Sequence, residues 1–195
     1  MPAQVIAAHR QVDGLINCAG IIQPFVKAQD LDFVAIERVM NINFYGTLTM
    51  TKAFLPELLK RPEAHLVNVS SMGGFLPVPG QSVYGASKAA VKLLSEALYA
   101  ELLATPVHVS VVFPGATQTD ITKNSGVKAP VAPGDMKNYK SLTADAAARL
   151  MLDGVERNKV QIYTGSDSKF MHQLYRFAPV FATRFIAKKM KKLLQ

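Results

Sequence analysis

Residues 66–115 read LVNVSSMGGFLPVPGQSVYGASKAAVKLLSEALYAELLATPVHVSVVFPG, and the order of patterns within this stretch decides the fold. Leu66–Val69 is a short, largely apolar run. Val83–Leu103 then sets Ala86, Ala90, Leu93, Leu94, Ala97, Leu98 and Leu102 on one helical face. Val107–Phe113 is a second run, rich in valine. Strand, long helix, strand, with both strands mainly apolar, describes a crossover between parallel strands covered on both faces.

Working outward, the alternation repeats. Gly14–Asn17 and Val160–Tyr163 read as two more buried strands. Leu31–Lys60, carrying Leu31, Val34, Val39, Met40, Leu48, Phe54, Leu55 and Leu58, reads as one long helix, and Ala144–Arg157 as another. The expected class is α/β, a doubly wound parallel sheet. Residues 120–142 interrupt it with Gly126, Pro130, Pro133, Gly134 and four lysines but no apolar period, which reads as a lid.

Composition narrows the function classes. The chain has 195 residues, 49% hydrophobic and 18% charged, enough for a packed domain and too apolar for a disordered one. The single cysteine, Cys18, excludes a disulfide scaffold and a cysteine-based zinc finger. With no His partner pattern, Cys18 reads as a small buried residue rather than a nucleophile. No run approaches 18 apolar residues, so no membrane-spanning helix is expected. Met1–Arg10 lacks the layout of a secretory signal, and the expected location is the cytoplasm.

Net charge is +8, but it is unevenly placed. Lys169, Arg176, Arg184, Lys188, Lys189, Lys191 and Lys192 fall in residues 168–195, which hold no acidic residue. That leaves 15 basic and 14 acidic residues in the body, which argues against nucleic-acid binding there. The division is a domain at 1–167 and a basic, amphipathic helical tail at 168–195, helical on both sides of Pro179. In its second half Ala182, Phe185, Ile186, Met190 and Leu193 lie near one face. The tail reads either as a helix pair closing a pocket or forming a subunit contact, or as a peripheral anchor on anionic membrane.

In open parallel sheets, ligands bind beyond the carboxyl ends of the strands. There the first strand runs into Asn17-Cys18-Ala19-Gly20 and the second into Ser70-Ser71-Met72-Gly73-Gly74. The third runs into Pro114-Gly115-Ala116-Thr117-Gln118-Thr119. Any one of these is an ordinary turn; three at one sheet edge imply a shared ligand. Tyr84 and Lys88, four apart at the start of a helix, would share its face. Taken alone, that pair also describes a tyrosine packed on a lysine stem. No G-x-S-x-G occurs, nor any paired His/Cys spacing, so serine-hydrolase and metal chemistry have no support.

Together these residues resemble the short-chain dehydrogenase/reductase family, from about Val5 to Gly165. Asn17-Cys18-Ala19-Gly20 matches its N-N-A-G turn, with Cys18 in place of the second Asn. Asn43-Phe44-Tyr45-Gly46 matches N-x-x-G, Ser71 the catalytic serine, Tyr84 and Lys88 Y-x-x-x-K, and Pro114-Gly115 with Thr119 P-G-x-x-x-T. The resemblance implies a Rossmann-like fold and an NAD- or NADP-dependent oxidoreductase interconverting an alcohol and a carbonyl on a small molecule; an apolar substrate drawn from the membrane would suit the tail read as an anchor. The resemblance also implies a homo-oligomer when full length. Tyr84 would be the acid/base, its phenol pulled towards ionisation by Lys88; Ser71 would hold the substrate oxygen. Lys88 would bind the nicotinamide ribose and Asn43 a water leading to it. The cofactor would lie against Asn17, Ala19, Gly20, Tyr84, Lys88, Pro114, Gly115, Thr117 and Thr119, with close backbone approach at Gly20 and Gly115.

The family's T-G-x-x-x-G-x-G phosphate loop occurs nowhere in the sequence. The expectation is therefore a partial domain whose first three strands are missing, about 60–75 residues at typical element lengths. The strand ending at Asn17 should then show an open edge. An alternative reading is an inactive family fragment serving as a binding or membrane-surface module.

Overall fold

The computed structural model describes residues 1–128 and 141–190. Two strands, β2 (Ala64–Val69) and β3 (Val107–Pro114), form the centre of a four-stranded, all-parallel sheet. On their outer sides β1 (Gly14–Asn17) pairs with β2 and β4 (Gln161–Thr164) with β3, so the spatial order follows the chain order. Leu66 stands opposite Val109, and Val67 opposite Ser110. Successive side chains point to opposite faces of a strand. Leu66 accordingly joins Leu58, Leu98, Leu102 and Val109 in one core, while Val67 joins Val112, Val155 and Ile162 in another. The first core lies under α3 (Gly46–Leu58) and α4 (Ser82–Glu101), the second under α6 (Ala144–Glu156). The sheet is Rossmann-like, covered by helices on both faces.

Several expectations need correction. The run Gly14–Asn17 is a strand but is not buried: its residues alternate between exposed and half-buried, and Ile16 is 45% exposed. The cause is position, because among the described residues β1 has a partner on one side only. Leu31–Lys60 is not one helix. Asp32 caps α2 (Phe33–Met40) by accepting from Ala35 N at 2.7 Å, and a π-helical turn at Asn41–Tyr45 separates α2 from α3. Val34 and Leu93, both placed on apolar faces by periodicity, point outward.

Part of the 120–142 segment is helical, α5 (Ile121–Ser125), ended by Gly126 in the left-handed conformation. Residues 129–140, the heart of the expected lid, lie outside the described residues. Before β1 stands α1 (Pro2–His9), as the sequence suggests. The tail is two helices, α7 (Ser166–Phe177) and α8 (Pro179–Lys189), meeting at Pro179. The 167/168 boundary falls inside α7. Met171 and Ala182 are buried against Leu76, with Leu174, Tyr175 and Ile186 beside them. Phe185, grouped by its spacing with Ala182 and Ile186, is exposed instead.

Candidate active site

The carboxyl ends of β1, β2 and β3 open onto one cleft of about 440 Å³. Cys18 and Gly20 line it after β1, Ser70 and Ser71 after β2, and Pro114, Gly115, Thr117 and Thr119 after β3. Tyr84 and Lys88 enter from the first two turns of α4, on one helix face as a spacing of four requires. Cys18 is therefore exposed in the cleft and is not the small core residue expected, because the chain leaves the edge strand there.

Short contacts hold the two ends of the Ser71–Tyr84 segment together. Ser71 is extended, and its Oγ accepts from Gly73 N at 3.1 Å, capping the turn Met72–Gly74. That turn lies flat against α4. A Cβ on Gly74 would stand 2.5 Å from Ser70 Oγ and 2.9 Å from the Lys88 carbonyl oxygen, so only glycine fits. Ser70 Oγ donates to the same Lys88 carbonyl at 2.7 Å. The serine loop and the tyrosine–lysine helix thus move as one piece.

Sequence reasoning missed Gln23, which fixes the start of that helix. It is fully buried. Its Oε1 accepts from Val83 N at 2.8 Å and Tyr84 N at 2.9 Å, and its Nε2 donates to the Gly80 carbonyl at 3.1 Å. Two of the unpaired N–H groups at the helix start are thereby satisfied, one of them belonging to Tyr84 itself. Nothing near Gln23 in the chain signals a partner about sixty residues away.

Asn43 is buried in the π-helical turn, where its Oδ1 accepts from Ile21 N and its Nδ2 donates to the Ile21 carbonyl and Ser87 Oγ, each at 2.9 Å. These bonds clamp the segment after Gly20 to α4. Asn43 Oδ1 accepts one of the two hydrogen bonds an amide oxygen can take, and lies with Lys88 Nζ beside Gly20. Asn17 Nδ2 donates to Asn68 Oδ1 at 2.8 Å and Thr51 Oγ1 at 3.2 Å, tying β1 to β2 and α3. Asn17, Ala19 and Asn43 do not line the cleft, whereas the other expected site residues do.

Burial sets the electrostatics. Lys88 is 4% exposed, and desolvation of its ammonium lowers its pKa to about 8. Its Nζ donates to the Val69 carbonyl at 2.9 Å. Burial raises the Tyr84 phenol above its usual value, and only the Ser71 hydroxyl pulls it down. At neutral pH the phenol is therefore protonated.

The cleft wall suits a dinucleotide's nicotinamide end. Thr164 Oγ1 is buried there without a hydrogen-bond partner among the described residues. A Cβ at Gly20 would lie 3.0 Å from Lys88 Nζ, so glycine keeps the approach to the ammonium open. The loop after β3 is held in shape from behind: Ala116 N donates to Asp167 Oδ2 at 2.7 Å, and Gly115 N to the Thr164 carbonyl at 2.8 Å. Asp167 is the second residue that sequence reasoning missed.

A parallel sheet with serine, tyrosine and lysine converging beyond its strand ends defines a class, the Rossmann-like oxidoreductases. The family model described as short chain dehydrogenase matches residues 1–129, and the chain belongs to the short-chain dehydrogenase family. It is 32% identical over 194 residues to SadH of Mycobacterium tuberculosis (strain H37Rv), covering 94% of this chain and 68% of that protein. It is 31% identical over 196 residues to the dehydrogenase/reductase SDR family protein 7-like of Drosophila melanogaster, covering 97% of this chain and 59% of that one. Among solved structures, a short-chain dehydrogenase from Sphingobium yanoikuyae in complex with NADPH is 27% identical, with TM-score 0.71 over 94% of this chain and 68% of that one. A short chain dehydrogenase from Burkholderia cenocepacia J2315 in complex with NADP is 25% identical, with TM-score 0.79 over 95% and 73%.

Proposed function

We propose that the cleft carries out the proton-transfer half of an NAD- or NADP-dependent interconversion of an alcohol and a carbonyl on a small, apolar molecule. The observation that carries this reading is the convergence of Ser71, Tyr84 and Lys88 on one cleft, with the 114–119 loop forming its opposite wall. Bound there, the nicotinamide would supply or accept the hydride. Lys88 and Thr164 would hold its ribose and ring, with Thr119 on the carboxamide side and Gly20 and Gly115 giving close approach. Asn17, Ala19 and Thr117 would shape that half-site from behind or through backbone.

The chain's own residues account for the rest. Ser71 Oγ would donate to the substrate oxygen and fix its place beside Tyr84. Tyr84, kept protonated by burial, would give its proton to that oxygen in the reducing direction and take one back in the other. Lys88, its pKa lowered to about 8 yet still above neutral pH, would stabilise the phenolate as it forms. Asn43 would act by holding α4 and the segment after Gly20 in register.

The test is a fluorescence titration with NADH and with NADPH, followed by turnover against a panel of apolar ketones. Carbonyl-dependent oxidation of either dinucleotide, lost in Tyr84→Phe, is the expected result. Binding without turnover would instead support the binding-module reading, and absence of both would remove the dehydrogenase reading. An assembly of copies through the outward faces of the Asn41–Tyr45 turn with α3 and of α4, where Tyr45 and Leu93 are exposed, is the proposal for oligomeric state.

A further inference from the structure

The hairpin of α7 and α8 has one face fixed in the protein and one left bare. Inward, Met171, Leu174, Tyr175, Ala182 and Ile186 pack with Leu76. Ser168 Oγ donates to the Phe113 carbonyl at 2.8 Å, anchoring the hairpin to β3. Outward stand three largely exposed phenylalanines, each leaving apolar surface in water: Phe170 at 62%, Phe177 at 79% and Phe181 at 60%. Phe170 and Phe177 are seven residues apart on α7, so they share a side of it. Phe181 and Phe185, four apart on α8, stack with ring centroids 6.4 Å apart.

Cations are interleaved with these rings. The Arg176 guanidinium lies 5.9 Å from the Phe177 ring centroid and Lys189 Nζ 5.9 Å from that of Phe185. Lys169, Arg184 and Lys188 are also exposed. No acidic residue occurs from Ser168 to the end of the chain, whereas the body is close to neutral. Exposed aromatic rings interleaved with cations, on helices that carry no acid beyond Asp167, suit an anionic partner with an apolar layer behind its charge.

We infer that the outer face of α7–α8 docks on an anionic phospholipid bilayer, its phenylalanines entering the interfacial region and its lysines and arginines pairing with headgroups. A second copy seated symmetrically on this face would set cation against cation with no acid to answer them. A bilayer carries the complementary charge and the apolar layer in one object. The inference concerns this surface alone and stands whether or not the cleft turns over a carbonyl.

The test is flotation of the full chain with vesicles of phosphatidylglycerol and phosphatidylcholine, compared with phosphatidylcholine alone. Binding to the anionic vesicles only, weakened by salt, is expected. Each cation near such a surface contributes about fivefold in affinity, so Arg184→Gln with Lys188→Gln should weaken binding about 25-fold. Phe177→Ser with Phe181→Ser should abolish flotation with an unchanged melting curve, since both rings are solvent-exposed. Failure to float on anionic vesicles overturns the inference, as does flotation indifferent to both double variants. A sedimentation shift to a dimer that the phenylalanine variant dissolves, without vesicle binding, overturns it in favour of a second copy.

Discussion

The carboxylate of Asp167 fills the place where a side chain at Gly115 would begin. A Cβ built on Gly115 would run into Asp167 Oδ1, with Cγ and Oδ2 at 2.7 Å, while Oδ2 accepts from the next residue, Ala116 N, at 2.7 Å. The first residues of α7 thereby set the shape of the loop that forms the far wall of the cleft. A glycine expected to let a cofactor approach is, in this fold, required first by the protein itself.

Gly115→Ala should therefore lower stability by about 1–3 kcal/mol, the usual cost of overpacking a filled site. In a double-mutant cycle, Gly115→Ala and Asp167→Ala should be non-additive, the second change relieving part of the first. Denaturant unfolding of the four proteins measures this, and strict additivity would show that the two residues do not share the space.

Gln23→Ala leaves the N–H groups of Val83 and Tyr84 buried without their acceptor, which should cost about 1–3 kcal/mol. Gln23→Glu keeps an acceptor for these groups but sets a carboxylate oxygen against the Gly80 carbonyl in a buried site, so it should recover only part of that loss. If the site turns over substrate, Gln23→Ala should reduce kcat more than it raises KM, because Tyr84 moves and the cleft wall does not. Equal stability of Gln23→Ala and the parent would dismiss Gln23 as the cap of α4.

Tyr84→Phe removes the only phenol lining the cleft among the described residues and, on the proposed mechanism, about 100- to 10,000-fold of turnover. The ring remains, so dinucleotide binding should be unchanged by titration. Ser71→Ala should act through the substrate oxygen and leave dinucleotide binding equally intact.

Lys88 makes a stability prediction with a defined sign. Its folded pKa of about 8 lies below the ordinary lysine value of 10.5, so from pH 8 upward the unfolded chain binds more protons than the folded one. The penalty of burying the ammonium is present in full below pH 8 and is relieved as pH rises towards 10.5. It is worth about 3 kcal/mol by the linkage relation. Tyr84 and Tyr163, both raised by burial, act in the opposite direction above pH 10, so the useful window is pH 8 to 9.5. Lys88→Met should be more stable than the parent at pH 7 and lose the rise across that window. A parent whose melting temperature is flat from pH 8 to 9.5 would contradict it.

Much of the fold was legible because its signals are local. Val107–Phe113 and the period of Val83–Leu103 announce a buried strand and an amphipathic helix without reference to the rest of the chain. The turns after β1, β2 and β3 were legible for the same reason, and the cleft gathers them. Cys18 was misread because its exposure depends on β1 being an edge, which pairing and not composition determines. The break in Leu31–Lys60 was missed because Asn43 distorts the helix through bonds to Ile21 and Ser87, and neither bond shows in the helix's own sequence.

What the sequence determined by itself was therefore the alternation of strand and helix, the family resemblance, and most of the residue types lining the cleft. All are properties of residues a few positions apart, where backbone periodicity and turn chemistry act. Only the tertiary structure decided that Gln23 caps α4, that Asp167 stands in the gap left by Gly115, and that α7–α8 shows an aromatic, cationic face to solvent. Those follow from the packing of segments between about fifty and one hundred residues apart, because burial, the fate of an unpaired N–H and the pKa of Lys88 are set by whatever neighbour the fold supplies.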